Sequence, residues 1–426
     1  MIQLKNVLII TYYFPPMASI GAVRPGGLAK YLPMYGWNPI FLTPVLPKEP
    51  NPQFRIIQTP ENDVLKIWKK RLGLNPHKTL NENFNVSRQK QRFSFLDKIV
   101  YLPSEIITYP DERKGWYISA TEAGEKLLQS EQIDAILSSS TPNICHIIAK
   151  TLVEKYHTPW IADFRDLWTQ DHYYNHCFVR RIIDRRLEVR TLDRASALVT
   201  VSKPLANDLS YLHPGIPAYS IPNGYDPIDA MFDPPRLTEK FTITYTGGLM
   251  NGKRDPVLLF EVLQNLISDG IIDPRLVEIR FFGPQDQWLI KEIRDANLGE
   301  VVKVLGPIPR DIALHRQRES HLLLLLLWNN PQERGVFTGK VFEYLASRRP
   351  IMALNGPSDS VVRNMLEETR TGHYITSFED LETVLSRYYF DYLQSGTTPS
   401  TDACAITQYS QIEMARKFAD VLNKVI

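Results

Sequence analysis

Cysteine is scarce: the 426-residue chain has three, Cys145, Cys177 and Cys404, with no CxxC pair and no even-numbered framework. That argues against a disulfide scaffold and a cysteine zinc cluster, and it suits a reducing compartment. An excess of one charge is lacking as well, since 49 Lys and Arg stand against 47 Asp and Glu, a net +2. This balance gives no general reason to expect nucleic acid as a partner. No apolar run approaches the roughly 18 residues that span a bilayer. The N-terminus runs straight into the strand-like VLIITYYFPP, without a cationic leader or cleavage site. The expectation is a cytoplasmic protein. No period of about 20–50 residues recurs, which excludes a solenoid. Neither GxGxxG nor GxxxxGKS/T occurs, so dinucleotide and P-loop readings lose their main support.

What is present is alternation. A chain of 426 residues suits two domains of about 200 residues each. In the first half, VLII is followed by helical GGLAKYL, then PIFLTP, DAILSSS, helical ICHIIAKTLVEKY, WIADF and ALVTVS. Short apolar strands alternating with helices mark a parallel sheet with crossover helices. After AYSIPNGYDP comes the proline-bearing DPIDAMFDPPRLTEK, and the alternation restarts with FTITYTGG, PVLLFEVLQNLI, EIRFFGP, VVKVLGPIP, HLLLLLLW and PIMAL. The reading is an α/β protein of two doubly wound units joined near residues 223–238. HLLLLLLW is too short for a membrane and reads as a central parallel strand buried on both faces.

Residues 46–115 break the rhythm. Between Lys66 and Arg92 eight Lys or Arg face one acidic residue, Glu82, with Trp68, Leu72, Leu74 and Phe84 interleaved. Such an insertion is either a solvated basic excursion or a contact for an anionic membrane surface or acceptor.

Charged residues gather where strands hand over to helices. After the first strand, Gly21, Gly26 and Gly27 surround Arg24, so backbone N–H groups and a guanidinium can face a ligand; a tight turn is the plainer reading. In DFRDLW, Asp163, Arg165 and Asp166 follow a strand, either orienting an acceptor hydroxyl as a general base or forming an internal salt bridge. His146, in the helix after SSSTPN, is either packed or part of that acceptor side. In YTGGLMNGKRDP, Gly247 and Gly248 allow close backbone approach, and Lys253 and Arg254 precede a helix. Two cations there oppose the helix dipole unless an anion, such as a pyrophosphate, lies between them. In GVFTGKVFEYLASRRP, Lys340 falls in the first turn of a helix expected to start near Thr338 or Gly339, with Glu343 three residues on. They either pair with each other or serve a phosphate and a ribose diol.

Four stretches in this order, FPP…GAVRPGGLAKYL, IPNGYD, YTGGL…KRDP and GKVFEYLASRRPIMA, resemble the GT-B glycosyltransferases of the retaining family 4 type. The resemblance covers the chain apart from residues 46–115. It implies two Rossmann-like doubly wound domains facing across a cleft: residues 1–225 for the acceptor, 226–405 for a nucleotide-sugar donor, and a C-terminal helix in 406–426 crossing back to the first domain. It implies that Lys253 and Arg254 neutralise the donor diphosphate, that Glu343 is the last Glu of an E-x7-E motif on the donor ribose, and that Gly21 lies near the donor phosphate. Arg24, Gly247, Gly248 and Lys340 join the donor set. Asp163, Arg165, Asp166 and His146 form the acceptor set, with Asp163, Asp166, Lys253 and Arg254 as the catalytic candidates. The family requires no metal, no DxD-type site is present, and no cofactor is expected beyond the donor itself. The partners implied are a nucleotide-sugar and a glycan or lipid-linked acceptor, in surface polysaccharide or glycoconjugate synthesis. One departure stands out: the first Glu of the motif is replaced by Gly335, with Glu333 two residues earlier. Competing readings are a nucleotide-sugar epimerase of the same architecture and a weakly active sugar-nucleotide-binding partner protein.

Overall fold

The structure, a computed structural model, describes residues 4–62, 109–174, 176–231, 235–399 and 401–426. The basic segment from Lys66 to Arg92 lies outside them. By its internal contacts the chain forms two compact units, residues 1–221 with 415–426, and residues 222–414.

In the first unit seven strands, β1 (Lys5–Thr11), β2 (Trp37–Pro44), β3 (Arg55–Thr59), β4 (Ala135–Ser140), β5 (Trp160–Phe164), β6 (Ala197–Thr200) and β7 (Ala218–Ser220), form one sheet. Their order is β3-β2-β1-β4-β5-β6-β7, and every pairing is parallel. The crossovers carry α1 (Val23–Tyr31), α2 (Tyr117–Ser130), α3 (Ile144–Tyr156), α4 (Phe178–Leu192) and α5 (Lys203–Leu212). Parallel strands are covered on both faces, which is why VLII and AILSSS read as unbroken buried runs rather than as alternating ones. Leu8, Ile10, Ile40 and Ile136 pack with Trp116, Trp160 and the α3 residues Ile148 and Leu152. One stretch departs from the sequence reading: Arg55–Thr59, inside the expected insertion, is an edge strand paired with β2. It is five residues long and only partly buried, so its apolar pattern is too short to register among the flanking prolines.

In the second unit six strands, β8 (Phe241–Thr246), β9 (Val277–Phe282), β10 (Val302–Val304), β11 (Leu322–Leu326), β12 (Ile351–Leu354) and β13 (Gly372–Ile375), run in the order β10-β9-β8-β11-β12-β13, again all parallel. Helices α6 (Val257–Ser268), α7 (Gln287–Asp295), α8 (Arg310–Arg318), α9 (Gly339–Ser347), α10 (Val361–Thr369) and α11 (Phe378–Ser395) flank them. The leucine run explains itself here. Leu322, Leu324 and Leu326 belong to the core on one face, while Leu323 and Leu325 belong to the core on the other, so no position of the strand meets water.

The last helix, α12 (Gln411–Val425), begins in the second unit and from Ala415 onward is grouped with the first. Its residues Met414, Ala415, Phe418, Ala419 and Leu422 recur at helical spacing and are buried. In each sheet the strand order reverses direction at one point, between β1 and β4 in the first unit and between β8 and β11 in the second. Ligands of open α/β sheets bind beyond the carboxyl ends of the strands at that point.

Candidate active site

Beyond β8, in the second unit, several of the charged residues meet. Gly247 follows the strand with φ +103°, a conformation that L side chains rarely adopt, and a Cβ there would lie 2.6 Å from Lys340 Cε. The glycine is therefore what lets the lysine lie against the backbone. Lys340 Nζ donates to the Tyr245 hydroxyl at 2.6 Å and sits 4.0 Å from the centre of its ring. That hydroxyl donates in turn to Gly248 O at 2.8 Å, and the Arg254 charge lies near the same phenol. Burial pushes the Tyr245 phenol up to about 12, with Arg254 opposing. Burial, then the nearby Arg254, push the Lys340 ammonium well below its ordinary value, with Glu343 opposing. Two half-buried cations thus converge on one tyrosine beside a bare glycine turn. Gly247→Ala is expected to cost about 1–3 kcal/mol through its positive φ and to dislodge Lys340; urea unfolding with a nucleotide-binding titration checks both.

Lys340 stands in the first turn of α9, where a cation opposes the helix dipole. Thr338, the residue before α9, makes no side-chain cap, and its hydroxyl is buried without a partner among the described residues. Glu343 does not pair with Lys340. It accepts from Arg310 Nε at 3.1 Å, and Arg310 Nη2 donates to Asp229 at 2.9 Å. Lys253 Nζ lies 3.9 Å over the Trp328 ring. Tyr245, Trp328, Thr338 and Arg310 escaped the sequence reading. Each is an ordinary strand, loop or helix residue until the fold brings it to these charges.

In the first unit the structure holds most of the named residues against one another and the backbone. Arg24 faces no open site: it is 2 % exposed and clamps Asp163, itself 0 % exposed, through Nη2–Oδ1 at 2.8 Å and Nε–Oδ2 at 3.1 Å. Arg24 Nη1 also donates to Ile221 O at 2.9 Å, Ser139 Oγ donates to Asp163, and Phe418 stacks on the guanidinium. Asp163 is thus the internal salt bridge rather than an acceptor base. Arg165 donates to the backbone carbonyls of Gly21, Ser140 and Thr141. A Cβ on Gly21 would collide with the Arg165 guanidinium, so this glycine is explained by packing. His146 is enclosed, with Nδ1 2.7 Å from Ser138 Oγ and its ring 4.4 Å from that of Phe164. Burial and then Arg165 hold it near 3, as a neutral core imidazole. Asp166, by contrast, is exposed.

The first unit also holds a cavity of about 290 Å³, beyond the carboxyl ends of β1, β4 and β5. Tyr13, Thr141, Asn143, Trp168, Arg180 and Asp184 are among its walls. Asp111, also on its wall, accepts from the Ile144 amide at the start of α3, and burial raises its carboxyl. None of the acceptor candidates named from the sequence lines this cavity. Among the described residues no group of three or more His, Cys, Asp or Glu is placed to hold a metal ion.

Residues 27–228 match the model of Glycosyltransferase Family 4. The structure of Anabaena Alr3699/HepE in complex with UDP superposes with TM-score 0.60 at 12% identity, covering 99% of this chain and 100% of that one. Sucrose-phosphate synthase from Thermosynechococcus elongatus gives 0.53 at 13% identity, covering 98% and 94%. The chain has the GT-B glycosyltransferase fold, and its residues 27–228 are similar to Glycosyltransferase Family 4. A putative UDP-N-acetylglucosamine 2-epimerase from Listeria monocytogenes also superposes, with TM-score 0.52 at 14% identity, covering 99% and 96%. No curated protein matches in sequence.

In this GT-B chain Gly335 closes a short 3-10 helix, Pro331–Gly335. Glu333 is buried in the same turn, its amide bonded to Asn330 O. Glu343 stands three residues beyond Lys340 on α9.

Proposed function

We propose that the protein is a retaining glycosyltransferase that moves a sugar from a nucleoside-diphosphate donor to a glycan or lipid-linked acceptor without a resident metal. The observation that carries this reading is the Lys340–Tyr245 pair beside Gly247, with the Arg254 charge near it. Fixed cations aimed where charge develops are the largest single contribution to such reactions. The diphosphate sits over Gly247 and Gly248, neutralised by Arg254, Lys340 and Lys253. Glu343, its carboxylate oriented by Arg310, accepts from the ribose hydroxyls. The bond from the anomeric carbon to the diphosphate oxygen breaks through an oxocarbenium-like state. The acceptor oxygen bonds to the same face, and its proton passes to the departing phosphate oxygen. The first-unit cavity, near the lower end of ligand-pocket sizes, takes part of the acceptor.

A panel of UDP-, GDP-, dTDP- and ADP-sugars tests the reading by thermal shift. A ligand at about one hundred times its Kd adds about 2.7 kcal/mol to native-state stability, so one nucleotide class is expected to raise Tm. No shift with any of them rules the donor site out. Incubation of the shifting donor without acceptor separates transfer from epimerisation, because a transferase leaves the sugar configuration unchanged.

A further inference from the structure

Helix α4 is built the wrong way round for a soluble protein. Its inward face is polar: Arg180 pairs with Asp184 at 2.8 Å, Tyr174 donates to Asp184, and buried Glu188 accepts from the Thr169 amide. Its outward face carries Phe178, 76 % exposed, Val179, 64 %, with Ile182, Ile183 and Val189 also exposed. Phe178 and Ile182, like Val179 and Ile183, are one turn apart and form a continuous apolar strip. Arg181, Arg185, Arg186, Arg190 and Arg194 lie exposed around it, against one exposed acid, Asp193. Arg185, Arg186, Arg190 and Arg194 make no ion pair among the described residues.

We propose that the outer face of α4 docks on an anionic lipid bilayer. Arginines flanking exposed Phe and Ile match a membrane interface, where apolar side chains enter the acyl boundary and cations meet anionic headgroups. A second copy of this chain fits poorly, because a two-fold contact would set these arginines against one another. Nucleic acid would satisfy the arginines but leave the apolar strip in water.

The placement bears on the acceptor. Arg180 and Asp184, on the inner face of the same helix, line the first-unit cavity. A bilayer against α4 therefore lies one helix thickness from that cavity, which assigns the acceptor to the lipid-carried class; this last step rests on the proposed transferase function.

Vesicle flotation of the full chain, with no donor or acceptor present, tests the docking itself. Binding is expected to phosphatidylcholine vesicles containing phosphatidylglycerol, to be far weaker on phosphatidylcholine alone, and to fall with added salt. Each arginine near the surface adds about fivefold, so Arg185→Gln/Arg186→Gln/Arg190→Gln should lose on the order of a hundredfold. Phe178→Ser/Ile182→Ser should lose binding too, and both variants should keep the wild-type Tm because the residues are exposed. Undiminished vesicle binding by both variants, or wild-type binding to nucleic acid but not to anionic vesicles, overturns the proposal. Because vesicle binding requires no nucleotide, a failure here is distinct from failure of the donor panel.

Discussion

Asp163→Asn is expected to destabilise the protein by about 3–5 kcal/mol, the cost of leaving a buried charge without its partner. Arg24 has nowhere else to go. Both oxygens of Asp163 bond the guanidinium, a third guanidinium nitrogen is committed to Ile221 O, and the Phe418 ring from α12 covers the guanidinium plane. An amide at position 163 offers one acceptor oxygen and turns an N–H group toward an arginine that remains 2 % exposed. Replacing both charges, in Arg24→Met/Asp163→Leu, should recover much of the loss, since apolar residues of similar size often substitute for a buried pair without penalty. Urea denaturation of the wild type, the single variant and the double variant measures this directly. If Asp163→Asn unfolds within about 1 kcal/mol of wild type while sugar transfer collapses, the carboxylate faces substrate and the buried-pair assignment fails.

That ion pair also shows where the sequence was legible. Periodicity carried the fold: apolar runs such as VLII, AILSSS and LLLLL mean strands buried on both faces, and each is one. Charge position pointed to the cluster around β8 and α9, because a lysine in the first turn of α9 and glycines after β8 are locally costly and need a reason. In the first unit it left both readings open, because a cation after one strand and a carboxylate at the end of another look the same whether they face a ligand or each other. Only the fold decides, and it sets α1 against β5 so that Arg24 meets Asp163. Tyr245 was invisible for another reason. In FTITYT it is a strand aromatic like any other, and its function as the acceptor for Lys340 depends on α9, 95 residues away in the chain. The outward apolar face of α4 drew no sequence reading, because its arginines and isoleucines take sides only once the burial of the helix shows which face is which.

Arg254→Ala and Lys340→Met should each weaken nucleotide-sugar binding by about 1.5–3 kcal/mol, the worth of a hydrogen bond to a charged group. Every 1.4 kcal/mol is tenfold, so each variant loses about ten- to a hundredfold. Lys340→Met carries a second signature. Its ammonium is depressed by burial and by Arg254 in the free protein, and a bound diphosphate supplies the counter-charge that raises it again. Binding therefore takes up a proton wherever the pH lies between the free and bound values. The sign follows: affinity is greatest at pH below the depressed free-state value, falls as pH rises through it, and levels off above the bound-state value. Tyr245, raised to about 12, does not titrate near neutrality. A nucleotide-sugar, whose diphosphate has no ionisation near neutral pH, keeps the ligand out of the linkage. Calorimetry in two buffers of different ionisation enthalpy should show proton uptake for the wild type and for Arg254→Ala, and none for Lys340→Met. Proton uptake that persists in Lys340→Met would mean that another group titrates on binding and that Lys340 is not the cation on the diphosphate.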